Sequence, residues 1–181
     1  IEFVNFIKLV NGSAGEENTT PVLHYRMLDT LASPEPNCAN MLFRGAAKTT
    51  VFAEYLFLYL ATYGELPEFG RVDLALYVSD SMDNGVKNLR KNLEYRYSES
   101  EFLKEYVPEA KFTDSRWEFI NADGKRLIVK GYGAQTGVRG TKELGKRPQL
   151  AVLDDLVSDE DARSATVIAT IEDTVYKAID H

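Results

Sequence analysis

Two pairs of side chains in this sequence are suited to binding a nucleoside triphosphate and its metal ion. Lys48 and Thr49 stand between a short apolar run and a long apolar helical pattern, and Asp154 and Asp155 follow the apolar run 150–153. A phosphate group is bound by backbone N–H groups at a helix N-terminus, by an ammonium group and, through Mg²⁺, by a hydroxyl group. A carboxylate at the end of a neighbouring strand holds the metal, and a second carboxylate orients the attacking water. The two pairs therefore predict the two halves of a phosphate-binding-loop (P-loop) nucleotide site.

The segment that contains Lys48 departs from the usual phosphate-binding loop. The pattern G-x-x-x-x-G-K-S/T places glycine at positions 42 and 47, where this chain has Leu42 and Ala47. The methyl group of Ala47 is expected to crowd the loop and to weaken nucleotide binding. A chance Lys-Thr pair is common, so the prediction depends on the second half of the site. A strand-end turn before a helix explains one of the two aspartates, but it gives no reason for the basic, glycine-rich segment 132–148 that precedes them.

The elements around these residues alternate between strands and helices. Apolar runs and the Asp123-Gly124 turn predict strands at 41–43, 73–78, 117–121, 126–130 and 150–153. Apolar residues at helical spacing predict helices at 3–11, 21–31, 51–63, 86–97 and 102–106, and a last helix, capped by Ser158 and Asp161, that runs towards Ala178. This order predicts an α/β fold in which helices flank a mostly parallel central sheet that carries a β-hairpin. Together with the two residue pairs, it indicates a P-loop NTPase of the ASCE type.

The composition excludes several classes of protein. The chain has 181 residues, 44% of them hydrophobic, with 21 basic and 28 acidic side chains and a net charge of −7. These values fit one folded domain with a sizeable core, and not a disordered, collagen-like or coiled-coil chain. The lone Cys38 permits no internal disulfide, and no Cys/His cluster offers a zinc site, which favours a reducing cytoplasmic compartment. The most apolar stretch, 51–61, is shorter than the ~20 residues of a bilayer span, so no membrane segment is predicted.

The acidic balance confines any nucleic-acid contact to local patches or to regions outside this sequence. Lys142, Lys146 and Arg147 form a basic patch before the last predicted strand, although a charge run of this length is usually only solvated. The sequence begins and ends inside helical patterns, which is expected of a fragment of a longer protein.

The order and spacing of these motifs resemble the ATPase domain of the large terminase subunit of tailed bacteriophages, the motor that drives DNA into procapsids. That family has a degenerate phosphate-binding loop with an early arginine, as in residues 43–50, and a following strand that ends in a small polar turn, as in 77–81. A hairpin and a Thr-Gly-x-Arg-Gly segment, as in 136–140, then precede the strand that ends in two acidic residues. The resemblance covers most of the chain.

The resemblance implies a single ATPase domain over the whole chain, with ATP and Mg²⁺ as cofactors. Residues 1–36 would form a helical segment beside the adenine and residues 37–181 the P-loop core, while the family's C-terminal nuclease domain is absent. Double-stranded DNA, the portal protein and the small terminase subunit are the implied partners of a ring-shaped homo-oligomer. The implied location is the host cell cytoplasm, at the portal vertex of the procapsid.

The resemblance also assigns roles to single residues. Thr49 and Asp154 would hold the metal, and Asp155, which is glutamate in many members, would be the catalytic carboxylate. Arg44 would sense the phosphate. The nucleotide-binding set is Arg44, Gly45, Ala46, Ala47, Lys48, Thr49 and Thr50. His24, Tyr25 and Arg26 would lie beside the base. The alternative for these three residues, equally supported by the sequence, is the partly exposed start of an amphipathic helix.

Arg139 is the candidate arginine finger, delivered to the transferring phosphoryl group of a neighbouring subunit. A solvated loop arginine is the alternative. Arg44 is a second candidate for the finger, and Lys146 and Arg147 are further cations near Arg139. If Arg139 acts between subunits, an isolated monomer should hydrolyse ATP slowly.

Three other functions remain open from the sequence. A helicase-like P-loop translocase would carry a second motor lobe, and a small-molecule kinase would phosphorylate a metabolite without a response to DNA. A degenerate P-loop domain would bind a partner protein and no nucleotide, and Leu42 and Ala47 are the residues that favour it.

Overall fold

The fold is described by a computed structural model for residues 2–12, 21–31, 37–43, 45–136, 138, 141–157 and 161–179. The helices are α1 (Glu2–Asn11), α2 (Val22–Leu31), α3 (Leu56–Tyr63), α4 (Lys87–Glu99), α5 (Glu101–Tyr106) and α6 (Ala165–Ile179). The strands are β1 (Glu65–Leu66), β2 (Gly70–Arg71), β3 (Leu74–Ser79), β4 (Glu109–Phe112), β5 (Arg116–Ile120), β6 (Arg126–Gly133) and β7 (Leu150–Leu153). Two π-helical turns, Thr50–Tyr55 and Met82–Val86, lead into α3 and α4, and a 3₁₀ turn, Asp161–Arg163, precedes α6.

Within the described part of the chain, one five-stranded sheet has the strand order β4–β5–β6–β3–β7. Leu76 of β3 is paired in parallel with Lys130 of β6 on one side and with Ala151 of β7 on the other. β5 runs antiparallel to both β4 and β6, and β1 and β2 form a separate antiparallel ladder. Over the described residues the sheet is therefore mixed, with two parallel and two antiparallel pairings, and β4 adds an antiparallel pairing that the weakly apolar run Glu109–Phe112 does not predict.

The hairpin predicted from Asp123-Gly124 is present between β5 and β6. Gly124 has a φ of +75°, a left-handed conformation that glycine adopts without strain. The buried Asn121 closes the turn, because its side-chain oxygen accepts the N–H groups of Asp123 (3.1 Å) and Lys125 (2.8 Å).

The strand predicted at 41–43 is wrong. These residues have no regular structure, and Met41 is 95% exposed and Phe43 67% exposed. A run of three residues gains little from an extended backbone unless a neighbouring strand accepts its hydrogen bonds, and no described strand pairs with it. Irregular chain, and not a strand, therefore leads into the segment that carries Lys48.

The last helix also starts later than predicted. α6 begins at Ala165, where the hydroxyl oxygen of Ser164 accepts the N–H of Val167 at 3.4 Å. Ser158, the predicted cap, lies outside the described residues, and Asp161 belongs to the 3₁₀ turn. None of the helices in the described ranges is long and apolar enough to cross a membrane.

Apolar side chains cover both faces of the central strand. On one face, Tyr77 of β3 and Trp117 of β5 are buried against Phe57 of α3. On the other face, Val78 packs in a second cluster with Ile171 of α6. Successive side chains of a strand point to opposite faces, so neighbouring residues of β3 reach two different cores. Packing from both sides fixes the carboxyl end of β3, where the predicted site residues are expected.

A buried ion pair ties the helix that follows Thr49 to α4. Glu54 is 4% exposed and accepts hydrogen bonds from Asn92 Nδ2 (2.9 Å) and from Arg96 Nε. Arg96 Nη1 also donates to the Tyr55 hydroxyl at 2.7 Å. Replacing Arg96 with alanine is expected to lower the free energy of unfolding by roughly 3 kcal/mol, because the Glu54 carboxylate would stay buried without its cation.

Urea denaturation of the purified chain measures this effect. Lys104→Ala is the matched control, because it breaks the exposed pair between Lys104 and Glu101 on α5 and should change the free energy of unfolding by less than ~0.5 kcal/mol. Equal effects of the two substitutions would contradict the importance of the buried pair.

Candidate functional site

The chain turns sharply just before the helix that carries Lys48 and Thr49. Gly45 has a φ of +90° and Ala47 a φ of +55°, both in the left-handed region. The N–H of Val51 donates to the Ala47 carbonyl at 3.0 Å, so helical hydrogen bonding is established at this point. The N–H groups that precede Val51 in the first turn have no acceptor within the helix, and such groups attract anions.

The structure brings the two predicted halves of the site into direct contact. Thr49 Oγ1 donates a hydrogen bond of 2.6 Å to Asp154 Oδ2, although the two residues are 105 positions apart. Asp154 follows β7, and its N–H donates to the carbonyl of Val78 in β3 at 2.9 Å. A helix N-terminus, a hydroxyl and a carboxylate thus meet at the carboxyl edge of two parallel strands, the edge at which α/β sheets form their ligand-binding crevices.

Lys48 and Asp155 flank this contact in different environments. Lys48 Nζ donates to the Leu42 carbonyl at 3.3 Å, so the ammonium group lies against the backbone that precedes the turn. Asp155 is exposed and has a φ of +45°, a conformation that aspartate tolerates better than most residues. Asp154 is half-buried and held by hydrogen bonds, whereas Asp155 is open to solvent. The first carboxylate is suited to a fixed ligand and the second to contact with water.

α2, which carries the three predicted base-binding residues, contacts the turn. His24 Nε2 is 3.1 Å from the Ala46 carbonyl oxygen, which is a hydrogen bond when this nitrogen carries the proton. Tyr25 is 37% exposed, and Arg26 is also exposed. His24 is therefore occupied with the backbone of the turn, and Tyr25 and Arg26 are the two predicted base-binding residues whose side chains are open to solvent.

The remaining members of the predicted nucleotide-binding set divide into described and undescribed residues. Ala46 is buried, and Thr50 is half-buried at the start of the first π-helical turn. Arg44 and Arg139, the candidate phosphate sensor and arginine finger, lie outside the described residues, so their roles stay predictions.

Lys146 lies far from the candidate phosphate site of its own chain. Its Nζ contacts Asp73 Oδ2 at 2.6 Å, and Asp73 directly precedes β3. Lys146 is thus at the amino edge of the sheet, while Asp154 is at the carboxyl edge, and the six residues of β3 separate the two edges by roughly 20 Å at about 3.3 Å per residue. Burial alone would raise the pKa of Asp73, but hydrogen bonds from Lys146 and Arg71 hold it below its ordinary value. Lys146 therefore has a structural partner, Asp73, and does not reach the phosphate site of its own chain.

Tyr77 also contacts the candidate site, and its sequence context does not predict this. Its hydroxyl donates to Asp154 Oδ2 at 3.2 Å, the oxygen that also accepts from Thr49. Burial, and next the charge of Asp154, raise the pKa of Tyr77 above its ordinary value, so the hydroxyl keeps its proton and remains a donor. In the sequence this residue is an aromatic side chain inside an apolar strand, and nothing there distinguishes it from an ordinary core residue.

The residues at the carboxyl edge fit a magnesium ion that shares its coordination with a nucleotide. Thr49 and Asp154 offer the hard oxygen ligands that Mg²⁺ prefers, and phosphate oxygens and water complete its coordination at such sites. Across the described ranges, no group of three His, Cys, Asp or Glu side chains forms a metal site made by the protein alone.

Ala47 carries backbone strain that glycine would relieve. An L-residue in the left-handed conformation costs about 1–2 kcal/mol. Glycine avoids this cost, but it makes the unfolded chain more flexible, which lowers the free energy of unfolding by about 0.4–1 kcal/mol. Ala47→Gly is therefore expected to raise the free energy of unfolding by about 0.5–1 kcal/mol.

The neighbouring substitution Ala46→Gly provides the control in the same urea denaturation series. Ala46 is 4% exposed, so its loss removes a buried methyl group and should lower the free energy of unfolding by roughly 1 kcal/mol. A loss of stability in both variants would show that the conformation of residue 47 is not strained.

No protein-family model matches the chain, and neither a curated protein nor a solved structure matches it.

Proposed function

We propose that this chain is a Mg²⁺-dependent ATPase domain. The observation that carries the proposal is the 2.6 Å hydrogen bond between the hydroxyl of Thr49 and the carboxylate of Asp154. Thr49 follows Lys48 in the first turn of a helix, and Asp154 directly follows β7, a strand that is parallel to β3. A hydroxyl and a carboxylate in these two positions are what a P-loop site uses to hold the metal of Mg·ATP.

Each described residue has a definite task in this proposal. The N–H groups at the helix N-terminus and the ammonium of Lys48 bind the phosphates, and Thr49 and Asp154 bind the metal. The chemistry that Mg²⁺ supplies when bound is neutralisation of the charge on the β- and γ-phosphates. Asp155, exposed beside Asp154, orients the water that attacks the γ-phosphate in line with the leaving oxygen.

We further propose that the ATPase drives DNA packaging as a large terminase subunit does. This step depends on the order of the motifs and on the Thr-Gly-x-Arg-Gly segment before the Asp-Asp strand. It assigns the finger role to Arg139 of a neighbouring subunit, and it makes double-stranded DNA, the portal protein and the small terminase subunit the partners of a ring at the procapsid portal vertex.

Calorimetric titration of the purified chain with ATP, in Mg²⁺ and in EDTA, tests the ATPase proposal. Binding that Mg²⁺ strengthens supports the proposed site, and hydrolysis that double-stranded DNA stimulates supports a motor.

Phosphorylation of a metabolite without a response to DNA would identify a kinase. Sequence beyond residue 181 would separate the two motors, because a nuclease domain indicates a terminase and a second motor lobe indicates a helicase.

Two observations favour a domain that binds a partner protein and no nucleotide. Ala47 occupies a left-handed position where P-loops have glycine, and Lys48 already donates to the Leu42 carbonyl. Both features lower the expected affinity for phosphate. Absence of any Mg·ATP-dependent thermal shift at millimolar ATP would support this second function.

A further inference from the structure

Two hydroxyl groups donate to the same oxygen of Asp154. Thr49 Oγ1 is 2.6 Å and the Tyr77 hydroxyl 3.2 Å from Oδ2. No described group donates a hydrogen bond to Oδ1 of this carboxylate. The carboxylate is therefore held through one oxygen, and its other oxygen faces no described donor.

Packing against other aromatic rings fixes the position of the Tyr77 ring. Tyr77 is 1% exposed, and its ring lies edge-on to Phe57 of α3, with centroids 6.3 Å apart, and beside Trp117 of β5, also at 6.3 Å. Phe57 belongs to the helix that continues from the turn at Lys48. The aromatic packing thus fixes the hydroxyl relative to both halves of the candidate site.

We propose that Tyr77 is a positioning residue that holds Asp154 through Oδ2 and so presents Oδ1 to the magnesium ion of Mg·ATP. This inference rests on the proposed ATPase function. When Mg·ATP binds, Thr49 would turn a lone pair towards the metal, and among the described residues its hydrogen bond is the only direct tie between the two ligands. A second, buried donor keeps the carboxylate in place during this change, as partners of metal ligands do in other sites.

A purely structural explanation makes a different prediction. A buried phenol needs an acceptor for its O–H, and Asp154 would serve this need without any part in metal binding. In that case the loss of the hydroxyl would alter the stability of the fold and leave the metal dependence of nucleotide binding unchanged.

The test uses Tyr77→Phe, which keeps the ring and removes only the hydroxyl. The affinity for a non-hydrolysable ATP analogue is measured by calorimetry in Mg²⁺ and in EDTA, with urea denaturation in EDTA alongside. We expect the affinity in Mg²⁺ to fall about tenfold and the affinity in EDTA to stay unchanged. Tyr97→Phe is the matched control, because the Tyr97 hydroxyl donates to the Val107 carbonyl at 2.8 Å and is not part of the candidate site.

The outcomes separate this inference from the proposed function. Equal affinity of Tyr77→Phe and wild type in Mg²⁺ would overturn the positioning role, whatever the change in stability. Equal losses in Mg²⁺ and in EDTA would overturn it as well, because the hydroxyl would then affect the whole site. If the wild-type chain binds the analogue in neither buffer, the proposed function has failed and this inference fails with it.

Discussion

Replacing Lys48 with alanine is expected to weaken the binding of Mg·ATP by about 100-fold or more, equivalent to about 2.7 kcal/mol. The ammonium group is the charged donor at the turn, and hydrogen bonds between charged partners are about twice as strong as neutral ones. In the structure the acceptor of Lys48 is the backbone carbonyl of Leu42. The substitution therefore leaves no other charged side chain without its partner. The fold should therefore remain intact, and calorimetry with Mg·ATP measures the loss directly.

Lys91→Ala is the matched control for Lys48→Ala. Lys91 is an exposed lysine on α4, so its removal changes the net charge by the same amount without touching the turn. Wild-type affinity in Lys48→Ala would show that the ammonium group does not contact the phosphates. Failure of the wild-type chain itself to bind millimolar ATP would instead favour the domain that binds a partner and no nucleotide.

Replacing Asp155 with asparagine is expected to lower kcat by about 100-fold or more, as loss of a group that orients or deprotonates the attacking nucleophile typically does. Binding of Mg·ATP should change little, because Asp154 and Thr49 hold the metal in the proposed site. Asparagine is the appropriate substitution since residue 155 has a φ of +45°, a conformation that asparagine adopts more readily than alanine. Single-turnover hydrolysis and calorimetry on the same preparation separate the two effects.

Asp154→Asn provides the complementary comparison. It should weaken nucleotide binding in Mg²⁺ and leave binding in EDTA unchanged, because the lost charge acts through the metal. If Asp155→Asn weakened binding and Asp154→Asn impaired only turnover, the assignment of the two carboxylates would be reversed. Equal kcat values for Asp155→Asn and wild type would exclude Asp155 from the reaction.

The sequence by itself predicted those elements whose pattern is local. The helical spacing of apolar residues predicted α1 and α2, and the run Leu150–Leu153 forms β7 with the predicted bounds. Asp123-Gly124 predicted the hairpin because a turn is determined by a few neighbouring residues. The contact between Thr49 and Asp154 also followed from sequence, since the ends of parallel strands and the helices beside them meet at one edge of a sheet. Nucleotide binding, hydrolysis and DNA packaging stay predictions.

Only the tertiary structure decided the features that depend on partners distant in the chain. Residues 41–43 form no strand because no described strand pairs with them, and β4 forms because β5 lies beside it. Lys146 is at the opposite edge of the sheet because Asp73 binds it there. The role suggested for Tyr77 depends on a hydrogen bond that spans 77 residues. Local periodicity carries no information on such pairings, because their energies arise only when the sheet brings the two partners together.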